Sequence, residues 1–172
     1  AAAISHAHNT LGAALARLDR PAEAVRHIER SVAVAEAAGL LQAACRSYAN
    51  LGVLYATLDP GRAVQTCRLG LETAQKIGDL GFQSRLYANL AVAYCALTQR
   101  CDDDGLRAAQ SAIDLDRQLG QIDHLAVPLI VLGQIHQCHG EFDQALRYYE
   151  EARALAEEMA EPQLLFPCYE GL

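Results

Sequence analysis

Apolar residues recur along this chain at steps of three and four, with polar residues between them. Leu51, Leu54 and Leu58 show the spacing, which places their side chains on one stripe of an α-helix. A β-strand would alternate every second residue, and no such alternation is present. Turn residues interrupt the pattern at several places, so it predicts separate helices. The nine predicted helices lie at residues 3–18, 21–38, 41–58, 61–77, 80–98, 104–119, 122–139, 142–159 and 162 to the end.

One short pattern occurs four times, and its leading leucines lie 40, 39 and 42 residues apart. The copies are Leu11-Gly12-Ala13-Ala14-Leu15, Leu51-Gly52-Val53-Leu54-Tyr55, Leu90-Ala91-Val92-Ala93-Tyr94 and Leu132-Gly133-Gln134-Ile135-His136. Each copy precedes a second element in which small residues flank an apolar or small residue. These are Ala24, Ile28, Ser31; Ala63, Cys67, Gly70; Gly105, Ala109, Ala112; and Ala145, Tyr149, Ala152. Repetition at this period indicates supersecondary units that each bury an apolar face against a neighbour.

The repeats predict an all-α fold, a stack of four helical hairpins and one extra helix. The expected units are 1–39, 40–78, 79–120 and 121–160, followed by the first helix of a fifth unit at 161–172. The absence of a starting methionine suggests a piece of a longer protein.

Turn residues mark the junctions between the predicted helices. Asp19-Arg20-Pro21 and Asp59-Pro60-Gly61 each combine an aspartate able to cap a helix with a proline, which the first helical turn tolerates. Glycine ends three units and Ala160 ends the fourth. These glycines are Gly39, Gly78 and Gly120. We expect left-handed backbone conformations there.

Small residues inside the first helices allow the two helices of a unit to approach closely. They are Gly12, Gly52, Ala91 and Gly133. A large side chain at such a position costs about 1 to 3 kcal/mol through overpacking. Their expected role is structural.

These repeated residues resemble the tetratricopeptide repeat family. Its pattern is Leu-Gly-x-x-Tyr in the first helix and small, aromatic and small positions in the second. The fourth unit is most similar, with Leu132-Gly133 followed by Phe142, Ala145, Tyr149 and Ala152. The spacing of about 40 residues exceeds the usual 34 and resembles a longer-helix variant found in sensor and scaffold segments of signalling proteins. The family's early tryptophan is absent here.

The resemblance implies an all-α, right-handed α–α superhelix, in which first helices line a concave groove that binds a peptide. The groove positions implied here include Arg46, Asn50, Val53, Arg85, Asn89, Val92, Val131 and Gln134. Arg46 and Arg85 occupy equivalent positions, as do Asn50 and Asn89. Asparagine can hydrogen-bond an extended backbone and arginine can bind carboxylate, so the set suits an acidic peptide or a chain end. The alternative is that the arginines are solvated and the asparagines tie helices together.

The groove becomes apolar towards the fourth unit, where Val127 and Val131 stand in place of basic and amide residues. A full carboxylate clamp of the kind this family uses for chaperone tails is therefore not expected. We predict a partner with one charged part and one apolar part.

The net charge of −7, with no block of basic residues, argues against nucleic acid or an anionic membrane as the main partner. The six cysteines form no CxxC pair and favour reduced thiols in a cytoplasmic protein. The acidic tip Cys101-Asp102-Asp103-Asp104 is expected to be a solvated loop rather than a cation site. His136, Cys138 and His139 lack a fourth ligand at a zinc-like spacing, so a packed histidine is expected instead of a metal site.

We therefore expect no enzyme activity and no cofactor or metal in this segment. The predicted function is a protein–protein interaction module within a larger cytoplasmic, bacterial signalling or regulatory protein. The alternative is a ligand- or partner-sensing domain attached to an ATPase, a cyclase or a DNA-binding domain. Self-association through the helix at 162–172 is a further possibility.

Overall fold

The computed structural model of the chain describes residues 1–98 and 103–171. In this part the chain forms nine α-helices, and no strand occurs there. The helices are α1 (Ala2–Arg17), α2 (Pro21–Ala37), α3 (Leu41–Leu58), α4 (Pro60–Lys76), α5 (Leu80–Thr98), α6 (Asp103–Leu119), α7 (Ala126–Cys138), α8 (Phe142–Glu158) and α9 (Pro162–Gly171). The all-α prediction, with four helical hairpins and one further helix, is confirmed.

Helix α7 begins four residues later than predicted, after a short 3-10 helix at Ile122–His124. Pro128 explains the difference. Proline has no N–H and its ring clashes with the carbonyl four residues earlier, so the first turn of a helix accommodates it at lower cost than the interior does. A helix starting at residue 122 would put Pro128 in its interior, whereas α7 as observed places it in the first turn.

The helices pack as consecutive pairs in two layers. The most extensive contacts lie within the pairs α1–α2, α3–α4 and α5–α6, with α7–α8 close behind. The odd-numbered helices also contact one another in the order α1, α3, α5, α7, α9, whereas no two even-numbered helices pack to a comparable extent in the described residues. The odd-numbered layer is therefore the inner side of a curved array, as expected for a solenoid.

The core confirms three of the four motif leucines as buried positions. Leu51, Leu90 and Leu132 are at most 6% exposed, but Leu11 is 45% exposed. Leu11 lies on α1, and no earlier hairpin packs on that helix in this structure. Leu58 is also exposed, because the predicted apolar stripe on α3 leaves the core at the helix end. Burial depends on the neighbouring unit as well as on the pattern.

The turns confirm one of the two predicted aspartate caps. The Asp59 carboxylate accepts a hydrogen bond from the Arg62 backbone N–H at 3.1 Å, with Pro60 as the first residue of α4. At the other turn the cap prediction is wrong. Asp19 adopts a left-handed conformation (φ 55°), and Arg20, with no side-chain cap bond, is the residue before α2. The turn after α1 needs a left-handed residue, and Asp19 supplies it.

Left-handed conformations at the ends of the units are confirmed. Gly39, Gly78 and Gly120 have φ between 65° and 69°, and Ala160 adopts φ 55° in the fourth unit. A side chain in this region collides with its own backbone, so alanine is strained where glycine is not.

Replacing Ala160 with glycine should therefore raise the free energy of unfolding by about 0.5 to 1 kcal/mol. Urea denaturation followed by circular dichroism measures the change. The matched control is Gly140→Ala, because Gly140 has φ 76° and an added Cβ there would meet no atom within 4 Å. That control should lose stability by a similar amount. A destabilised Ala160→Gly variant would contradict the assignment of strain.

Candidate binding groove

Three adjoining clefts lie along the odd-numbered helices, and they contain six of the eight predicted groove residues. We call them the arginine cleft, the aspartate cleft and the apolar cleft. Arg85 and His124 line both of the first two clefts, and Val127 and Leu164 line both of the last two. The clefts therefore form one continuous path beside α5.

The arginine cleft lies where α3 and α5 meet the turn after α6, and has a volume of about 310 Å³. It is lined by Arg46, Asp79, Gly81, Phe82, Arg85, Gln121 and His124. Arg46 and Arg85 are exposed, and neither forms an ion pair or a hydrogen bond through its side chain within the described residues. Two arginines on one cleft are suited to bind a carboxylate, because a guanidinium presents paired N–H donors.

The aspartate cleft, of about 240 Å³, lies between α5, α6 and the start of α7. Its polar lining comprises Ser84, Arg85, Asn89, Asp116, Asp123 and His124. Asp116 on α6 is only 1% exposed. Its Oδ1 accepts a hydrogen bond from the Ser84 hydroxyl, and the His124 Nδ1 lies 3.8 Å from the same oxygen. Its Oδ2 has no partner in the described residues.

Burial raises the pKa of Asp116 above its ordinary value, because the carboxylate loses water. The Ser84 hydrogen bond and the nearby His124 act in the opposite direction but do not cancel the effect of burial. The cleft therefore contains an acidic group whose charged form is poorly solvated. A positively charged ligand nitrogen would stabilise that form.

The apolar cleft, of about 360 Å³, lies between α5, α7 and α9. Val92, Val131 and Gln134, all predicted groove residues, line it together with Val127, Leu164 and Pro167. Val131 is buried at 3% exposure, so it forms the floor of the cleft. The lining therefore changes from charged residues in the arginine cleft to mostly apolar residues here, and the peptide groove itself stays a prediction.

The two predicted asparagines make hydrogen bonds between odd-numbered helices. The Asn50 amide donates to Asn9 Oδ1 at 3.0 Å and joins α3 to α1. The Asn89 amide donates to the Ala49 carbonyl at 2.8 Å and joins α5 to α3. Both asparagines therefore connect neighbouring helices, as the alternative hypothesis from the sequence predicts. These bonds use one donor of each amide and leave other hydrogen-bonding positions of Asn89 beside the aspartate cleft.

Two predicted residues lie apart from the clefts. Asn50 and Val53 line none of the three, and Val53 is 55% exposed on α3. In contrast, sequence reasoning missed Asp116 and His124. A signal for Asp116 was present, because it continues the buried series Ala109, Ala112 on α6 at a helical step of four. A carboxylate on an otherwise apolar face indicates a special role.

Four cysteines of the described residues are buried in the helical core. Cys45, Cys67 and Cys168 are free thiols, and these three and Cys95 are buried. Burial raises the pKa of Cys67 to about 12 and that of Cys45 to about 11, so both thiols stay protonated and are poor nucleophiles at neutral pH. Cys138 is disulfide-bonded in the structure, so the expectation of reduced thiols is wrong at that position.

His136 is buried and packed in the fourth hairpin. Its Nδ1 pairs with Glu141, and its ring stacks on Tyr148 at a centroid distance of 5.2 Å. Within residues 1–98 and 103–171, no three histidine, cysteine or acidic side chains converge as metal ligands would. The first half of the predicted acidic tip, 101–102, lies outside the described residues.

None of the helices in the described part of the chain is both long and apolar enough to cross a membrane.

Two sequence models of the tetratricopeptide repeat match this chain, one at residues 82–158 and the other at residues 7–38. The two matched segments together span more than half of the chain. Among curated proteins, no sequence matches it.

The fold is similar to those of two solved structures. One is a Signal Transduction ATPase with Numerous Domains (STAND) protein with a tetratricopeptide repeat sensor, from Pyrococcus horikoshii. It has a TM-score of 0.77 and 18% identity over 98% of this chain and 25% of that protein. The other is BtubC (BKLC) from P. vanneervenii, with a TM-score of 0.76 and 21% identity over 91% of this chain and 65% of that chain. This chain thus spans a quarter of the first protein and about two thirds of the second.

Proposed function

Because this chain belongs to the tetratricopeptide repeat family, we propose that it binds a segment of a partner protein along the concave, odd-numbered layer of its helices. Repeat solenoids bind through extended concave surfaces of this kind. The segment is an extended peptide that carries an acidic group and an apolar side chain.

The observation that carries this proposal is the continuous path of three clefts beside α5. The path begins at two arginines that have no ion-pair partner in the described part of the chain, and it ends at an apolar cleft floored by Val131. An acidic side chain or a terminal carboxylate fits Arg46 and Arg85, and an apolar side chain fits between α5, α7 and α9. The two ends favour different chemical groups, so the path also fixes the direction of the bound peptide.

We expect the double variant Arg46→Gln with Arg85→Gln to bind such a peptide about tenfold more weakly, because each guanidinium supplies a charge-assisted hydrogen bond. A peptide is first selected by the unmodified chain from an array of random decapeptides, and its dissociation constant is then measured by fluorescence anisotropy. The loss of affinity in the double variant should become smaller as the salt concentration is raised, since the contacts are partly exposed.

A matched control is Arg26→Gln with Arg147→Gln, which removes the same charge from exposed positions on α2 and α8. This control should bind as the unmodified chain does. Equal affinities for the two double variants would exclude the arginine cleft, and selection of no peptide at all would exclude the proposed function. The asparagines are a poorer test, because alanine at Asn50 and Asn89 also removes two hydrogen bonds between helices.

The sensing alternative stays a prediction. It requires an attached domain whose activity changes when the groove is occupied, and the full-length protein tests it. Self-association through α9 also stays a prediction, with the exposed Phe166 and Tyr169 as its candidate contacts. Light scattering of the unmodified chain and of a Phe166→Glu variant tests that contact.

A further inference from the structure

The middle of the groove contains two buried oxygens without hydrogen-bond partners. They are Asp116 Oδ2 and Gln121 Oε1, in the described part of the chain. Asp116 lines the aspartate cleft and Gln121 lines the adjoining arginine cleft. An unpaired buried acceptor lowers stability, and more so when it belongs to a carboxylate. Packing in α6 gives no reason for an acid here, since alanine and isoleucine fill the neighbouring buried positions of the same face.

The charges around the aspartate cleft are arranged for a ligand that carries both signs. Asp116 and the exposed Asp123 line this cleft together with Arg85, which also lines the arginine cleft. The His124 imidazole, shared by both clefts, lies 3.8 Å from Asp116 Oδ1 and 3.8 Å from Asp123 Oδ2. A cation bound next to these two carboxylates would lie beside the arginine cleft. It would not overlap the position where a carboxylate of the ligand binds the arginines.

We propose that the aspartate cleft binds the side-chain nitrogen of a lysine or arginine of the partner peptide. This inference rests on the proposed function and names the peptide's middle residue. The ligand nitrogen donates to Asp116 Oδ2, the oxygen that the fold leaves unpaired, and its charge is shared with Asp123. Charge-assisted hydrogen bonds to a buried carboxylate are among the stronger contacts that a groove offers.

His124 is the group that moves to admit the cation. Asp116 Oδ2 has almost no exposed surface, but the His124 side chain beside this carboxylate is 37% exposed, and its ion pairs with Asp116 and Asp123 are both as long as 3.8 Å. Rotation of the ring towards solvent therefore breaks no strong hydrogen bond. The ligand nitrogen then takes the position beside the carboxylate.

The spacing of the clefts along α5 predicts a peptide pattern. Arg85, Asn89 and Val92 mark the arginine, aspartate and apolar clefts, at successive steps of four and three residues on one helix. A helix rises 1.5 Å per residue, so these steps correspond to about 6 Å and about 5 Å. An extended peptide advances about 3.4 Å per residue. The acidic and basic side chains should therefore lie about two residues apart, and the basic and apolar side chains about one to two residues apart, in that order along the groove.

The test is a positional-scanning array of decapeptides, read with three forms of the chain at pH 7. These are the unmodified chain, Asp116→Asn and Asp114→Asn. Asparagine keeps the size of Asp116 and an acceptor for Ser84 while removing the charge. Asp114 is an exposed carboxylate on the same helix, bonded to Gln110, and its variant is the matched control. The dissociation constants of the three forms are then measured by fluorescence anisotropy, for one selected peptide and for its copy with norleucine in place of lysine.

The unmodified chain and Asp114→Asn should select lysine or arginine between the acidic and apolar positions. Both of these forms should bind the norleucine copy about tenfold more weakly than the lysine peptide. Asp116→Asn should lose the basic preference, keep the acidic and apolar ones, and bind the two copies equally. A basic preference that survives in Asp116→Asn overturns the inference, as does an unmodified chain that selects acidic and apolar residues without a basic one. The second result leaves the proposed function standing, whereas an array without any selected peptide overturns both.

Discussion

Replacing Gly133 with valine should lower the free energy of unfolding by about 3 kcal/mol, the upper part of the usual range for overpacking. A Cβ built on Gly133 would lie 2.8 to 2.9 Å from three carbons of the Tyr149 ring. The ring cannot give way easily, because Tyr149 is 1% exposed and its hydroxyl donates to Gln137 at 3.1 Å. Helices α7 and α8 would have to move apart.

Urea denaturation followed by circular dichroism measures the loss, and Gly61→Ala is the matched control. Gly61 also lies in a helix, but a Cβ there would meet only Asp59 Oδ1, at an ordinary 3.5 Å. Because alanine is the better helix former, the free energy of unfolding of this control should stay the same or rise by up to about 1 kcal/mol. A Gly133→Val variant as stable as the unmodified chain would show that α7 and α8 are not packed as closely as described.

Replacing Asp116 with asparagine should raise stability at neutral pH by about 1 to 3 kcal/mol, because a buried carboxylate with an unpaired oxygen costs more than the neutral amide that replaces it. Burial holds the pKa of Asp116 above its ordinary value of 3.8, so the folded chain retains this proton more tightly than the unfolded chain does. Stability of the unmodified chain therefore falls as the pH rises from about 4 to the raised pKa, and stays lower above it. Asparagine does not titrate, so the advantage of the variant should be largest near pH 7 and should fade towards pH 4.

The measurement is urea denaturation at a series of pH values from 4 to 8, with Asp114→Asn as the control for loss of one negative charge. That control should change stability little, because Asp114 is exposed. An Asp116→Asn gain that is the same at pH 4 and pH 7 would show that the carboxylate is not destabilised by burial. A variant that is more stable yet has lost its basic-peptide preference would indicate that Asp116 serves binding at the expense of folding.

The prediction of the helices from sequence depended on local signals that survive in the folded chain. The helix ends at Gly39, Gly78 and Gly120 are set by a backbone conformation that glycine adopts freely, and each has the expected positive φ. Local signals also misled at Asp19, where an aspartate before a proline could cap the helix or take the left-handed position. Only the path of the preceding helix selects between the two.

For the groove, too, some features could be predicted from the sequence and others depend on how the hairpins stack. Equivalent spacing placed Arg46 and Arg85 on one surface, and the structure puts both in one cleft. The partners of Asn50 and Asn89 could not be predicted, because Asn9 and the Ala49 carbonyl come close only when successive hairpins stack. Likewise, the apolar cleft needs α9, which contributes Leu164 and Pro167 from a distant part of the sequence.

Local patterns of residues are enough to predict that this chain forms paired helices, where small residues lie within them and which apolar stripes pack against a neighbouring helix. These properties follow from helical periodicity and from backbone preferences of single residues, which act over a few positions. Tertiary structure alone decided which polar groups are left without a partner. Asp116, on a face otherwise made of small and apolar residues, becomes a buried and half-satisfied carboxylate only because α5 and the turn before α7 cover it and supply one hydrogen bond, from Ser84.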